Sequence, residues 1–173
     1  MSDATDLRIR DAHPGDRDVI VAFNRALARE TEEKVLDPSV LTLGVELALE
    51  APDRLRYWVA ERDGEIVGQA AISREWSDWR CGWIWWFQSV YVRPQDRGRG
   101  VFRTLHAHIR GLARASRDVI GLRLYVEREN RRAQDTYAAL GLRPGGYLVF
   151  EELWITGGEG MDWSRPGGRS TRD

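Results

Sequence analysis

The 173-residue chain has one cysteine, Cys81, and two methionines. A single thiol cannot close an internal disulfide, so the fold must rest on its core, and the cysteine usage fits a reducing compartment. No apolar run approaches the roughly 20 residues of a membrane-spanning helix, and the N-terminal Met1-Ser-Asp-Ala-Thr-Asp6 is not expected to act as a leader sequence. A cytoplasmic protein with no membrane partner is expected. The formal net charge is −1, so no global field draws the chain to nucleic acid. There is no internal repeat. The length suits one domain, expected over residues 1–156. Residues 157–173 form a Gly-, Arg- and Ser-rich tail expected to be disordered. No metal requirement is expected.

What the chain does have is uneven distribution. Residues 93–117 are strongly basic, whereas Glu30, Glu32, Glu33 and Asp37 form an acidic stretch. Five of the eight tryptophans lie between positions 76 and 86. They suit a core, an interface or an aromatic-walled pocket.

The most informative stretch is 83–110. Trp83 to Val92 is rich in aromatic and β-branched residues and predicts a strand. Pro94 ends it. Gly98 and Gly100 come next, among Arg97, Arg99 and Arg103. Val101, Leu105, Ile109 and Leu112 then recur at helical spacing. The loop therefore meets a helix N-terminus, where backbone N–H groups lack partners and the dipole is positive. Glycines admit an anion close to the backbone. A phosphate or pyrophosphate site is one reading, and a tight strand-to-helix turn with solvated arginines is the other. A P-loop is excluded because Val101-Phe102 replaces Lys-Ser/Thr. A dinucleotide fingerprint is excluded because Arg103 replaces the third glycine.

In chain order, Leu7 to Arg10 alternates as a strand, and Pro14-Gly-Asp opens a helix that ends near Arg29. Pro38 starts a second helix, closed by Pro52. Residues 57–62 and 65–73 form a hairpin across Asp63-Gly64, with Gly68 a candidate bulge. The strand at 83–92 completes an antiparallel meander. A helix over 98–115 crosses to a strand at 119–126, and that connection predicts a parallel pair. A short helix over 133–140 ends at Gly141. A last strand is expected at Tyr147–Ile155. The predicted architecture is α+β: a mixed, mostly antiparallel sheet of six to seven strands flanked by helices. Its one parallel pair splays into a cleft beside the glycine loop.

With that order of elements, Gln95-Asp-Arg-Gly98-Arg-Gly100 resembles the Arg/Gln-x-x-Gly-x-Gly/Ala motif of the GNAT superfamily of acyl-CoA-dependent N-acyltransferases. Asn130, Ala133, Tyr137 and Gly141 resemble that family's segment after the fifth strand. The resemblance runs from residue 7 to about 155. It implies an N-acetyltransferase that uses acetyl-CoA as cosubstrate, without a metal. It implies that Val90, Tyr91 and Val92 dock the pantetheine arm by their backbone, with an N–H near Val90 polarising the thioester carbonyl. It implies that Arg97, Gly98, Arg99, Gly100, Val101, Phe102 and Arg103 hold the pyrophosphate, that Asn130 contacts the cofactor arm, and that Tyr137 protonates the departing thiolate.

Many members carry a glutamate base on the fourth strand, where this chain has Gln88. A carboxamide orients an amine or water but does not accept its proton. Glu75, Asp78 and Glu127 are candidate bases, as is the acidic group near residue 32. His106 and His108 are expected to be structural, facing away from the cleft.

On the acceptor side, Ala28-Arg-Glu-Thr-Glu-Glu33 resembles the acidic region of diamine acetyltransferases. Glu32 and Glu33 with Trp76 and Trp85 suit a small cationic amine, through ion pairing and cation–π contact. Alternatively the acidic run is a solvated helix face and the tryptophans are core. A protein or peptide N-acetyltransferase and a non-catalytic acyl-CoA sensor remain open beside the small-amine enzyme. No nucleic-acid partner is expected. A homodimer is plausible from exposed tryptophans and a sheet-edge strand.

Overall fold

A five-stranded sheet lies between two helical layers, and local sequence chemistry explains most of its boundaries. The computed structural model describes residues 7–154. Strand β1 is Arg8–Asp11, followed by a 3-10 turn at Pro14–Asp16, helix α1 at Arg17–Glu32 and helix α2 at Pro38–Glu50. Strands β2 (Arg56–Arg62), β3 (Glu65–Ser77) and β4 (Gly82–Val92) come next. A 3-10 turn at Pro94–Asp96 precedes α3 (Val101–Ala115), β5 (Val119–Leu124) and α4 (Arg131–Ala139). The spatial order is β1-β2-β3-β4-β5. All neighbours are antiparallel except β4 and β5, the crossover pair expected around α3.

Helix α2 begins at Pro38 because proline suits a first helical turn. Asp37 caps it by accepting from the amides of Ser39 and Val40 at 2.9 and 3.0 Å. The β2–β3 turn places Asp63 and Gly64 at φ 53° and 77°, the positive angles of a two-residue hairpin. On one face α3 covers Trp58, Val67, Ile72 and Phe87 with Val101, Leu105 and Ile109. On the other, α1 and α2 cover Tyr57 and Ala71 with Ile20, Val45 and Ala48. Helix α3 lies so close that a Cβ on Gly68 would sit 2.9 Å from Val101 Cγ1. Gly68 is therefore needed for contact, and the β2–β3 register shift falls beside it.

One expectation changes here. Residues 147–154 form no strand, so the described sheet has five strands, not six or seven; Ile155 and the tail from 157 lie outside the described residues. The segment Leu148-Val-Phe150 is apolar on successive positions and is followed by Glu151-Glu152. It has no alternating face to bury, and Tyr147, Leu148 and Phe150 stand exposed. His106 is buried against the sheet, in keeping with a structural residue. It stacks on Phe87 with ring centres 5.6 Å apart, and burial, with Arg110 nearby, holds its pKa below the usual value.

The entry to α1 is fixed by a buried carboxylate. Asp16 accepts two hydrogen bonds from the Arg10 guanidinium, at 2.7 and 3.0 Å, and one from the His13 amide at 2.9 Å. Burial alone would raise its pKa, but these donors outweigh it and hold the carboxyl below its usual 3.8. A folded pKa below the unfolded one contributes stability above the unfolded value, and that stability is lost as pH falls through the folded one. Asp16→Asn should therefore lower Tm at neutral pH, with the gap to the native protein closing below about pH 4. Thermal unfolding across pH checks this, and a pH-independent gap would refute it.

Candidate active site

The site begins with one extra residue in β4. Ala71 pairs with Gln88 and Gln69 with Tyr91, so two steps along β3 match three along β4. Ser89 and Val90 together oppose Ala70, which is a β-bulge. Ser89 adopts φ 49°. For a residue with a side chain that conformation costs about 1–3 kcal/mol and persists only where its surroundings enforce it. The bulge reverses the facing of the residues beyond it. Trp85 and Phe87 before it, and Val90 and Val92 after it, all pack toward α3. Tyr91 is turned toward α1, where its ring lies 5.0 Å from that of Phe23.

The β4–β5 ladder ends at Phe87 and Leu124. Beyond it the β4 edge at residues 88–92 has no β5 partner, and a cleft opens between the strands. The glycine loop stands at the end of this edge. Its base is rigid: buried Asp96 accepts from Arg62 Nη1 at 3.0 Å and Arg93 Nε at 2.8 Å. Gly98 and Gly100 sit at φ 75° and 78°, and a Cβ at either would meet nothing within 4 Å. Gly100 caps α3 without a side-chain bond, so no side chain covers the first-turn amides. Arg99 and Arg103 are exposed and make no ion pair among the described residues. Bare amides, room for close approach and exposed positive charge are the features that anion binding at a helix N-terminus draws on.

Arg97 is placed differently. Its Nη2 donates to Glu30 Oε2 at 2.6 Å and its Nε to the Val92 carbonyl at 2.9 Å. The Tyr91 hydroxyl donates to Glu30 Oε1 at 3.0 Å. Arg97 thus ties the glycine loop to the end of α1, where sequence alone suggested a phosphate contact.

Across the cleft, Asn130 caps α4 by accepting from the Ala133 amide at 3.1 Å through Oδ1. Its Nδ2 is left for another partner. Tyr137, half-buried on α4, packs edge-on against Phe102 of α3 at 5.7 Å. Its hydroxyl makes no hydrogen bond among the described residues, and burial pushes its pKa above 10.

On the α1 side a cavity of about 300 Å³ is lined by Asn24, Leu27, Ala28, Thr31, Glu32, Lys34, Leu36, Leu41 and Ser89. It reaches the bulge. Glu32 is there, but Lys34 is paired with it. Glu33 ends α1 in a left-handed conformation and does not line the cavity. The two tryptophans do not join this group. Trp85 packs against Trp58 on the opposite face of the sheet, and Trp76 pairs with Trp83 near the β3–β4 turn. Glu75 is also remote. It accepts from the Trp86 indole and from Arg123, and it pairs with Ile84, roughly 20 Å along β4 from Val90. Asp78 caps the adjacent Trp79 amide at that same turn. Glu127 accepts from the Glu129 amide at 2.8 Å and shapes the loop after β5. Gln88 donates to Ser73 Oγ at 3.2 Å.

Sequence reasoning missed a buried polar chain beneath the bulge. Gln69 Nε2 donates to Asn24 Oδ1 at 2.7 Å and to the Ser89 carbonyl at 3.0 Å, and Asn24 Nδ2 donates to the Tyr57 hydroxyl at 3.2 Å. The signal was a lone carboxamide within Val67-Gly-Gln-Ala-Ala-Ile72, at a position whose neighbours are all apolar.

The acetyltransferase (GNAT) family model matches residues 21–142. A possible acetyltransferase from Clostridium difficile 630 is 40% identical, with 86% of this chain and 98% of that chain covered and a TM-score of 0.80. Two more distant structures share the fold. A predicted acetyltransferase with acetyl-CoA from Clostridium acetobutylicum is 20% identical, covering 84% of this chain and 96% of that one, at a TM-score of 0.65. A ribosomal-protein-alanine N-acetyltransferase from Brucella melitensis biovar Abortus 2308 is 16% identical, covering 86% and 99%, at a TM-score of 0.70. No curated protein matches the chain significantly. A family match spanning the bulge, the glycine loop and α4, together with 40% identity over most of the chain, makes this protein a member of the acetyltransferase (GNAT) family and places it among the acyltransferases.

Proposed function

We propose that the protein transfers the acetyl group of acetyl-CoA to the primary amine of a small molecule, by direct attack within a ternary complex. The observation that carries this reading is a convergence. The bare amides of α3, the unpaired edge of β4 and the unbonded hydroxyl of Tyr137 face one cleft, and Ser89 of the bulge lines the cavity beside α1.

The thioester supplies an activated acetyl group and a leaving thiolate. The amides of Val101, Phe102 and Arg103 hold the pyrophosphate, supplemented by Arg99 and Arg103. The backbone of Val90, Tyr91 and Val92 receives the extended pantetheine arm as a strand receives a neighbour. Asn130 Nδ2 adds a donor from the other wall. The Val90 N–H donates toward the carbonyl oxygen where negative charge develops, a kind of contact worth about 3 kcal/mol in acyl transfer. Tyr137 gives its proton to the departing sulfur. Because burial keeps the phenol protonated beyond its ordinary range, it remains a donor throughout neutral and mildly basic pH.

The proton on the amine leaves through water. Gln88 cannot take it, Glu75 lies at the far end of β4, and Glu30 is held by Arg97 and Tyr91. The acceptor enters the cavity beside α1. Its aliphatic walls, Leu27, Leu36 and Leu41, with Thr31 and an ion-paired Glu32, favour an amine carrying a compact apolar group. A multiply charged polyamine would find these carboxylates already engaged.

Two measurements test the reading. Tyr137→Phe should lower kcat about a hundredfold while leaving the KM for acetyl-CoA nearly unchanged. Full kcat in the variant at every pH would remove the acid role. In a series of acceptors, the acid limb of kcat/KM should follow the pKa of each amine. A limb that stays fixed in the carboxylate range would instead reveal a protein base.

A further inference from the structure

We infer that Gln69 is a positioning residue that aims the Val90 amide into the cleft. The inference rests on the reading of Val90 as the donor to the thioester carbonyl. Its own basis is the geometry of one peptide unit. Ser89 and Val90 stand outside the β3 ladder, whose register passes from Gln88 directly to Tyr91. In a regular strand the β3 backbone would hold this part of β4. Here a side chain does so: Gln69 Nε2 donates to the Ser89 carbonyl at 3.0 Å.

The peptide between Ser89 and Val90 is planar and trans, so its C=O and N–H point in opposite directions. A carbonyl drawn toward β3 leaves the N–H directed away from β3, toward the side where the β4–β5 ladder has already ended at Phe87 and Leu124. Gln69 thus sets the direction of the Val90 N–H without touching substrate.

The arrangement is specific to a carboxamide. Both hydrogens of Gln69 Nε2 are used, one on Ser89 O and one on Asn24 Oδ1. Asn24 is in turn held by Tyr57. Gln69 is completely buried and its Oε1 has no partner among the described residues. A buried acceptor left unpaired is a cost that a plain packing residue would avoid. The cost makes sense where the amino group is needed at this position. The same bond also holds Ser89 at φ 49°, a conformation that serine does not adopt unaided.

The test reads the thioester directly and needs no acceptor. Acetyl-CoA labelled with ¹³C at the acetyl carbonyl is bound to the full-length protein and its carbonyl stretch is recorded by difference infrared spectroscopy. In the native protein the band should move to lower wavenumber than in free acetyl-CoA. In Gln69→Met, which keeps the volume and loses the donors, the shift should vanish. The dissociation constant of unacylated coenzyme A should remain within about twofold, since the pyrophosphate cradle does not involve Gln69. With any amine that the native enzyme acetylates, kcat should fall by about 10²–10³-fold, the range for loss of an oxyanion donor.

Adding Ser89→Gly, which accepts a positive φ without strain, should restore part of the shift and of kcat. The double variant also serves if Gln69→Met alone folds poorly. A full shift and full kcat in Gln69→Met would overturn the inference. A native protein that binds acetyl-CoA with no shift would overturn the Val90 donor itself, and the inference with it. Coenzyme A affinity and melting temperature that fall in step with kcat would show a merely structural residue and would also overturn it.

Discussion

One residue too many in β4 governs the arrangement of everything around the cleft. A regular strand alternates its side chains strictly, so an inserted residue flips every position beyond it. Here the flip lets Val90 and Val92 join Phe87 over α3 while Tyr91 turns to α1. It also bends the strand away from β5, and the parallel pair separates after Phe87 and Leu124. Without the bulge, β4 and β5 could stay paired to their ends and the cleft would close. The strain at Ser89 is the local cost of that opening, met by a hydrogen bond from Gln69 of the neighbouring strand, whose amino group is also held by Asn24 of α1.

The donor side depends on rigidity of another kind. The glycine loop itself is open, but it springs from Asp96, which two arginines hold in a buried position. Arg93 reaches on to Glu65 at 2.9 Å, so the loop is fastened to the β2–β3 hairpin as well. The amides at the start of α3 are therefore held in place before any anion arrives. Preorganised dipoles of this sort favour a bound charge more than dipoles that must first be ordered. Arg97 has the complementary task, linking this loop to α1 through Glu30. Helix α1 is consequently tied to the glycine loop by a guanidinium and to the bulge by the Gln69 carboxamide.

Much of this was legible in the chain. Pro38, Asp63-Gly64, Pro94 and Gly141 mark element ends because each restricts or permits particular backbone angles. The glycine loop before α3 and the helix that carries Tyr137 were read from spacing and a family likeness together. The bulge was not legible: Gln88-Ser-Val-Tyr reads as ordinary strand, and only pairing with β3 shows that a residue is in excess. The pairing of Arg97 with Glu30 spans 67 positions and leaves no local trace. The acidic stretch suggested a cationic acceptor because composition records charges and not their partners, and Lys34 and Arg97 occupy two of them. The tryptophan cluster misled for a related reason. Trp85 and Trp86 are adjacent in sequence and so lie on opposite faces of the sheet.

The scarcity of cysteine has a practical side. Cys81 is the sole thiol of the chain and stands exposed in the turn between β3 and β4. From Gly82 to Val90 the strand spans roughly 26 Å, so the turn and the bulge lie at opposite ends of β4. A maleimide-linked fluorophore or spin label would attach at a single point without a background of competing thiols. It would be far enough from the cleft to leave ligands undisturbed, and near enough for distance measurements to a labelled coenzyme. The native chain thus carries its own attachment point for a molecular ruler laid along the strand that shapes its active site.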